Sequence, residues 1–228
     1  MSLKVKKSFK QYIPKVIFAL ILILVAFFVI RVALWEKNYY EEKEGSERAV
    51  AVIGDIDTSN VSEEEITEKQ RAEYSVAPDK PRYLYIDKLS ISKARIVEVG
   101  INTKGQMATP YSIYDAGWYT GSKLPGNSGT TVLNGHNGAG AKGIFKNLNT
   151  LAPGDLIKIE MGDAKTYLYR VYDNVEIKLS EADKKMASMM VSPVDGEESI
   201  TIISCSGEYS LKQKTYLSRQ FVRATRVN

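Results

Sequence analysis

The stretch Ser199-Ile200-Thr201-Ile202-Ile203-Ser204-Cys205-Ser206-Gly207 decides how the rest of the chain is read. Ile200, Ile202 and Ile203 form a short β-branched run typical of a buried strand, and Gly207 with the polar residues after it marks a turn. The run carries Cys205, the only cysteine, to a strand end, where a rigid element gives way to a loop that a substrate can reach. On that fact alone, a cysteine is more often a small core residue than a nucleophile.

Two other strand ends change the weight of the reading. The only histidine, His136, closes the run Thr130-Thr131-Val132-Leu133-Asn134-Gly135-His136. Arg219 opens Arg219-Gln220-Phe221-Val222-Arg223-Ala224, fourteen residues beyond the cysteine. A thiol needs a base or an imidazolium partner to become a thiolate, and an acyl-transfer transition state needs a donor for its oxyanion. Each residue also has a plainer reading. A single histidine is more often a satisfied hydrogen-bonder, and Arg223 and Arg226 are equally basic neighbours of Arg219. The joint occurrence of the three favours catalysis.

The 228 residues suffice for one domain of ordinary size plus extra segments, and 14 Tyr argue against a disordered chain. The net charge of +4 is unevenly spread. Residues 1–35 carry +6 with no acid, whereas residues 36–80 carry 13 acids against 6 bases. The basic pole adjoins an apolar segment and so is no argument for nucleic acid. A single cysteine cannot close an internal disulfide.

In chain order, residues 1–15 form a basic head. Val16–Trp35 follows as a helix of twenty residues, interrupted only by Arg31 near its end and long enough to cross about 30 Å of hydrocarbon. Lysines before it and acids after it place the N-terminus in the cytoplasm and the remainder outside. A cleaved signal peptide is the competing reading, but bulky residues stand where a cleavage site needs small ones. Residues 36–80 read as an acidic extracytoplasmic stalk, mainly a solvated linker. Ser62-Glu63-Glu64-Glu65 fits a capping box for a helix over Ser62–Tyr74, and Pro78 and Pro81 would stop it.

From Pro81 the pattern changes to short strands: Arg82–Ile86, Ile91, Ile96–Val99, Thr130–Leu133, Asp155–Glu160, Lys165–Ile177, Ser199–Ser204 and Gln220–Val227. Met161–Ala164 reads as a hairpin turn, and short helices are expected at Gly143–Leu151 and from Ser180 to about Met190. Seven or eight strands with scattered helices and no βαβ alternation predict a mainly β domain over residues 81–228, a closed or nearly closed barrel.

This part of the chain resembles the sortase family of cysteine transpeptidases. Thr201-Ile202-Ile203-Ser204-Cys205 looks like the family's Thr-Leu-x-Thr-Cys strand, and Leu133-Asn134-Gly135-His136 like its small-Gly-His strand end. Arg219–Ala224 is similar to the strand that supplies the family arginine. Gly117-Trp118-Tyr119 and Leu124–Gly129 come ahead of the histidine, and Phe145, Leu148, Leu151 and Gly154-Asp155 follow it, in sortase order. Ile202 in place of Leu, Ser204 in place of Thr and Asn134 in place of Ala bear on subclass and substrate contacts more than on the reaction.

The resemblance implies a closed eight-stranded sortase-type barrel with a few short helices. It also implies cleavage of a Leu-Pro-x-Thr-Gly-like sorting signal between Thr and Gly. Cys205 would form a thioacyl enzyme, His136 would exchange protons with the leaving and incoming amines, and Arg219 would stabilise the oxyanion. Ser204, Asn134 and Ser206 would be substrate contacts, with residues 206–217 and 175–199 walling the groove. The implied partners are secreted proteins with a C-terminal sorting signal, a cell-envelope amine acceptor (a peptidoglycan precursor or a pilin lysine) and the lipid bilayer, with no nucleic acid. No metal is expected: some sortases use calcium, but Asp115, Asp173 and Glu176 show no ligand spacing. The alternatives are a pilin-polymerising enzyme and an inactive sortase-like binding module. The former often carries an Asp-Pro-Trp-like lid, and the stalk has Ala77-Pro78-Asp79 without the Trp.

Overall fold

The computed structural model describes residues 16–18, 20–37, 61–103, 105–138, 142–212 and 215–227. The expected basic head, residues 1–15, and residues 38–60 of the acidic stretch lie outside the described residues. The chain divides into two units, Met1–Glu44 and Gly45–Asn228. The first is built on helix α1, Val16–Lys37, two residues longer than the apolar pattern marks and long and apolar enough to cross a membrane. Its large side chains are exposed, as suits a helix whose solvent is lipid.

The second unit is a closed barrel of eight strands: β1 Pro81–Ile86, β2 Ile91–Val99, β3 Ala116–Tyr119, β4 Gly129–Asn134, β5 Leu156–Met161, β6 Thr166–Lys178, β7 Glu198–Ser210 and β8 Thr215–Arg226. They close in the order β1-β2-β3-β4-β7-β8-β6-β5. All pairs are antiparallel except β2 with β3 and β4 with β7. Closure leaves no sheet edge to aggregate. Side chains alternate between two apolar clusters. Ile200, Ile202, Val222 and Ala224 join Leu84, Ile86, Ile159 and Tyr169 in the main core. On the other face of the same strands, Ile203 and Phe221 pack with Val132, Ile177 and Met190. Helix α3, Leu179–Met189, leads into that second cluster.

Several local expectations shift. β3 was not marked as a strand, because its four residues are buried on both faces and show no alternation. The helix expected at Gly143–Leu151 is a run of turns ending in a 3₁₀ turn, Leu148–Thr150, because Phe145 is drawn back to the His136 carbonyl. The Met161–Ala164 turn forms as read, with Ala164 N–H donating to the Met161 carbonyl at 3.0 Å.

The stalk's last residues stay largely exposed but are hydrogen-bonded to the loop that precedes β3. Ser62 N–H donates to the Tyr111 carbonyl at 2.7 Å, and Ile113 N–H donates to the Ser62 carbonyl at 3.0 Å. Ser62 Oγ accepts from Glu64 N–H at 3.2 Å, but no helix follows it directly. Helix α2 is instead Glu68–Glu73, with a capping box between Thr67 and Gln70. Tyr74 stacks edge-on against Tyr83 and donates its hydroxyl to the Ile96 carbonyl.

Candidate active site

The parallel pairing of β4 with β7 does what sequence separation hides. Gly129 pairs with Glu198 and Asn134 with Ile203, a constant offset that brings His136 to the level of Cys205 when carried two residues on. Gly135 N–H donates to the Ile203 carbonyl at 3.3 Å, and Ser204 Oγ donates to the Gly135 carbonyl at 2.9 Å, so the end of β4 is tied to the middle of β7 just before both residues. Cys205 thus lies within β7 rather than at the strand end expected for it: the strand runs on to Ser210, and Gly207 sits in a register shift instead of a turn. Gly135 is required there, since a Cβ would lie 2.7 Å from the Phe145 ring. On the other side of β7, Cys205 pairs directly with Arg219 of β8. One row of the barrel therefore holds His136, Cys205 and Arg219, while Arg223 and Arg226 lie further along β8, against Asp173 and Glu198.

The three are held differently. His136 is 8% exposed, and its Nε2 lies 2.8 Å from the Pro110 carbonyl. A carbonyl only accepts, so Nε2 carries the hydrogen and Nδ1 is the nitrogen left to exchange protons. Burial lowers the His136 pKa, partly opposed by that bond to Pro110, and this favours the neutral ring at rest. Arg219 is fully enclosed. One terminal nitrogen donates to the carbonyls of Tyr216 at 2.8 Å and Ser218 at 2.9 Å, and the other to Thr215 Oγ1 at 3.3 Å. Its Nε–H has no acceptor among the described residues. An unmet buried donor costs about 1–3 kcal/mol, which leaves this one available to a substrate oxygen. Cys205 itself is half-buried.

The expected substrate contacts divide. Asn134 and Ser204 are fully enclosed, with Asn134 Nδ2 donating to the Ala108 carbonyl at 2.8 Å. Ser204 Oγ braces β4 against β7, whereas Asn134 Oδ1 is buried without a partner among the described residues. Ser206 does line open space: a cleft of about 150 Å³ that also touches Cys205, Asn137, Glu176 and Gln220. Asp115 is gripped by both guanidinium arms of Arg95, and Asp173 by Arg223. Among the described residues, no three His, Cys, Asp or Glu side chains gather as a metal site. Pro110 was not singled out. Its role is a backbone carbonyl 26 residues from the histidine, which leaves no trace in residue type.

The barrel thus sets a cysteine between a histidine and an arginine on three neighbouring strands. A Sortase domain model matches residues 84–227, and the chain belongs to the sortase family. Two solved structures illustrate the likeness in fold. Sortase C2 of Group B Streptococcus Pilus Island 1 is 19% identical, with a TM-score of 0.51, covering 85% of this chain and 97% of that one. The Streptococcus agalactiae sortase C1 complex with MTSET is also 19% identical, with a TM-score of 0.50, covering 83% and 84%. A search of the curated proteins finds no match.

Proposed function

We propose that this sortase is an active, membrane-anchored cysteine transpeptidase that cleaves a Leu-Pro-x-Thr-Gly-like sorting signal and passes the acyl group to an envelope amine. The observation that carries the reading is the strand register that sets His136 and Arg219 on either side of Cys205. The apolar helix α1 supports an anchor, with the barrel on the outer side of the membrane.

His136 Nδ1 takes the thiol proton, and the Cys205 thiolate adds to the carbonyl between Thr and Gly. The Arg219 Nε–H donates to the oxyanion as the carbonyl bond opens. The carbon–nitrogen bond then breaks, His136 returns its proton to the leaving amine, and a thioester remains on Cys205. An incoming amine adds to the thioester carbonyl and passes its surplus proton to His136, the carbon–sulfur bond breaks, and the departing Cys205 thiolate takes that proton back, which restores the thiol and the neutral ring. Ser204 ties the end of β4 to β7, Asn134 ties it to Ala108, and β8 holds the arginine.

The full chain in detergent, given a Leu-Pro-x-Thr-Gly peptide library and triglycine amide, should yield a peptide ending at Thr joined to the amine. Cys205→Ala should yield none. A folded wild-type protein that joins no peptide, while the Cys205→Ala variant retains binding, would instead mark an inactive binding module.

A further inference from the structure

A transpeptidase must admit two substrates to one sulfur, and the two flanks of Cys205 differ in chemistry. On the face carrying Ile203 and Phe221, the strands are apolar and lie beneath Met190. On the other face, the cleft of about 150 Å³ reaches Cys205 from the barrel end and is lined mainly by polar residues, among them Asn137, Asn149, Glu176, Ser206 and Gln220. The polar cleft suits something charged and hydrated.

We infer that this cleft is the acceptor subsite and that Glu176 binds the ammonium of the incoming amine. The inference rests on the transpeptidase reading above. Glu176 lies on β6 and pairs with Gln220, which pairs with Ser204, so it stands one row from the Cys205–Arg219 pair. Gly207 brings it closer. The register slips between Ser206 and Tyr209, Gly207 takes a φ of 75°, and a Cβ built on it would lie 3.4 Å from Glu176 Oε1. The glycine thus opens the space through which the carboxylate approaches the residues just past the thiol.

Glu176 is exposed, and among the described residues it forms no salt bridge, whereas Asp115, Asp173, Glu160 and Glu198 each pair with an arginine. Gln220 is uncharged and so does not neutralise it, and one of its amide hydrogens is given to Asn174 Oδ1 at 2.5 Å. Among the described residues, Lys146 is the one cation on the cleft wall and would favour an acceptor that carries an anionic group beyond its amine. The ammonium loses one proton to water as it seats. The neutral amine adds to the thioester carbonyl, the carbon–sulfur bond breaks, Cys205 leaves as thiolate and the surplus amine proton passes to His136.

The test measures how the thioacyl enzyme divides between aminolysis and hydrolysis, a ratio that does not depend on how fast acylation runs. Two acceptors are used: triglycine amide, which carries an ammonium, and hydroxylamine, which is uncharged at neutral pH. Glu176→Gln should lower the triglycine amide ratio by about fivefold to tenfold, as expected for loss of one charge-assisted contact. Its hydroxylamine ratio should stay at the wild-type value, and Glu176→Asp should restore part of the loss. Equal ratios for triglycine amide in wild type and Glu176→Gln overturn the acceptor site while leaving the transpeptidase reading intact. A parallel fall with both acceptors also overturns it, because a merely structural role would act on both. Absence of any thioacyl species in the wild type overturns the transpeptidase reading, and the acceptor site with it.

Discussion

His136 and Arg219 flank the same cysteine, but the chain reaches them by opposite routes. Arg219 arrives through the β7–β8 hairpin, fourteen residues from Cys205, and its guanidinium is held by Thr215, Tyr216 and Ser218 of its own strand. His136 arrives through a parallel pairing between strands far apart in sequence, and its ring is held by Pro110, a further loop away. Pro110 is followed by Tyr111 and Ile113, to which Ser62 of the stalk binds. The arginine is therefore a local arrangement and the histidine a global one. Distant substitutions should disturb the histidine side first, and hairpin substitutions the arginine side.

The largest effects test whether both sides are needed. Cys205→Ala should abolish product formation, and His136→Ala should lower kcat/KM by about 10²–10⁴, the usual worth of a positioned general acid–base. Arg219→Lys keeps the charge but loses the Nε–H and the planar fork, so it should cost about 10²-fold, the range for removal of one oxyanion donor. A Lys variant with wild-type kcat/KM would show that charge alone suffices.

The comparison is sharpened by one glycine on each side. At Gly117 a Cβ would stand 2.3 Å from Asn134 Oδ1 and 2.9 Å from Val99, so Gly117→Ala forces Asn134 to shift and disturbs the strand that carries His136. Overpacking of this kind costs about 1–3 kcal/mol, readable as a lower midpoint in urea unfolding. Gly207→Ala should cost about 1–2 kcal/mol, because its φ of 75° is left-handed and Ser218 Oγ stands 2.8 Å from the added Cβ. The two variants should differ in activity: Gly117→Ala should alter the pH profile set by His136, and Gly207→Ala should leave its acid limb in place.

The smallest effect is on pH. The folded-state pKa of His136 is lowered, so the unfolded chain binds its proton more readily. The stability this group contributes is present above the ordinary value of 6.5 and is lost as pH falls through the lowered folded value. Urea unfolding at pH 7.5 and pH 5 should show a smaller loss on acidification in His136→Asn than in wild type. The acid limb of kcat/KM should likewise lie below 6.5, and a limb above it would contradict burial as the cause.

What the sequence shows follows the same division between local and global. The β-branched run before Cys205, the strand after Arg219 and the hairpin at Met161–Ala164 are local patterns, and each appears in place. The closed barrel follows from many such strands together. Burial on both faces of β3 erases the alternation that marks a strand, and the helix read from Ser62 starts later because Thr67 and Gln70 form the capping box. Among the candidate site residues, Asn134 and Ser204 could be named from type and position, but only the packing shows that their side chains are enclosed. The Pro110 carbonyl, the unspent Nε–H of Arg219 and the approach of Glu176 to Gly207 depend on three-dimensional register, which residue identity does not encode.

The most direct test is the intact mass of the full chain in detergent, mixed with a cleavable sorting-signal peptide and quenched in acid. The account predicts an added mass equal to the peptide up to its Thr, located on Cys205 and removed by hydroxylamine. It predicts that the adduct forms far more slowly in both His136→Ala and Arg219→Lys. An adduct that forms at the wild-type rate in either variant, or that maps to any residue other than Cys205, would contradict it.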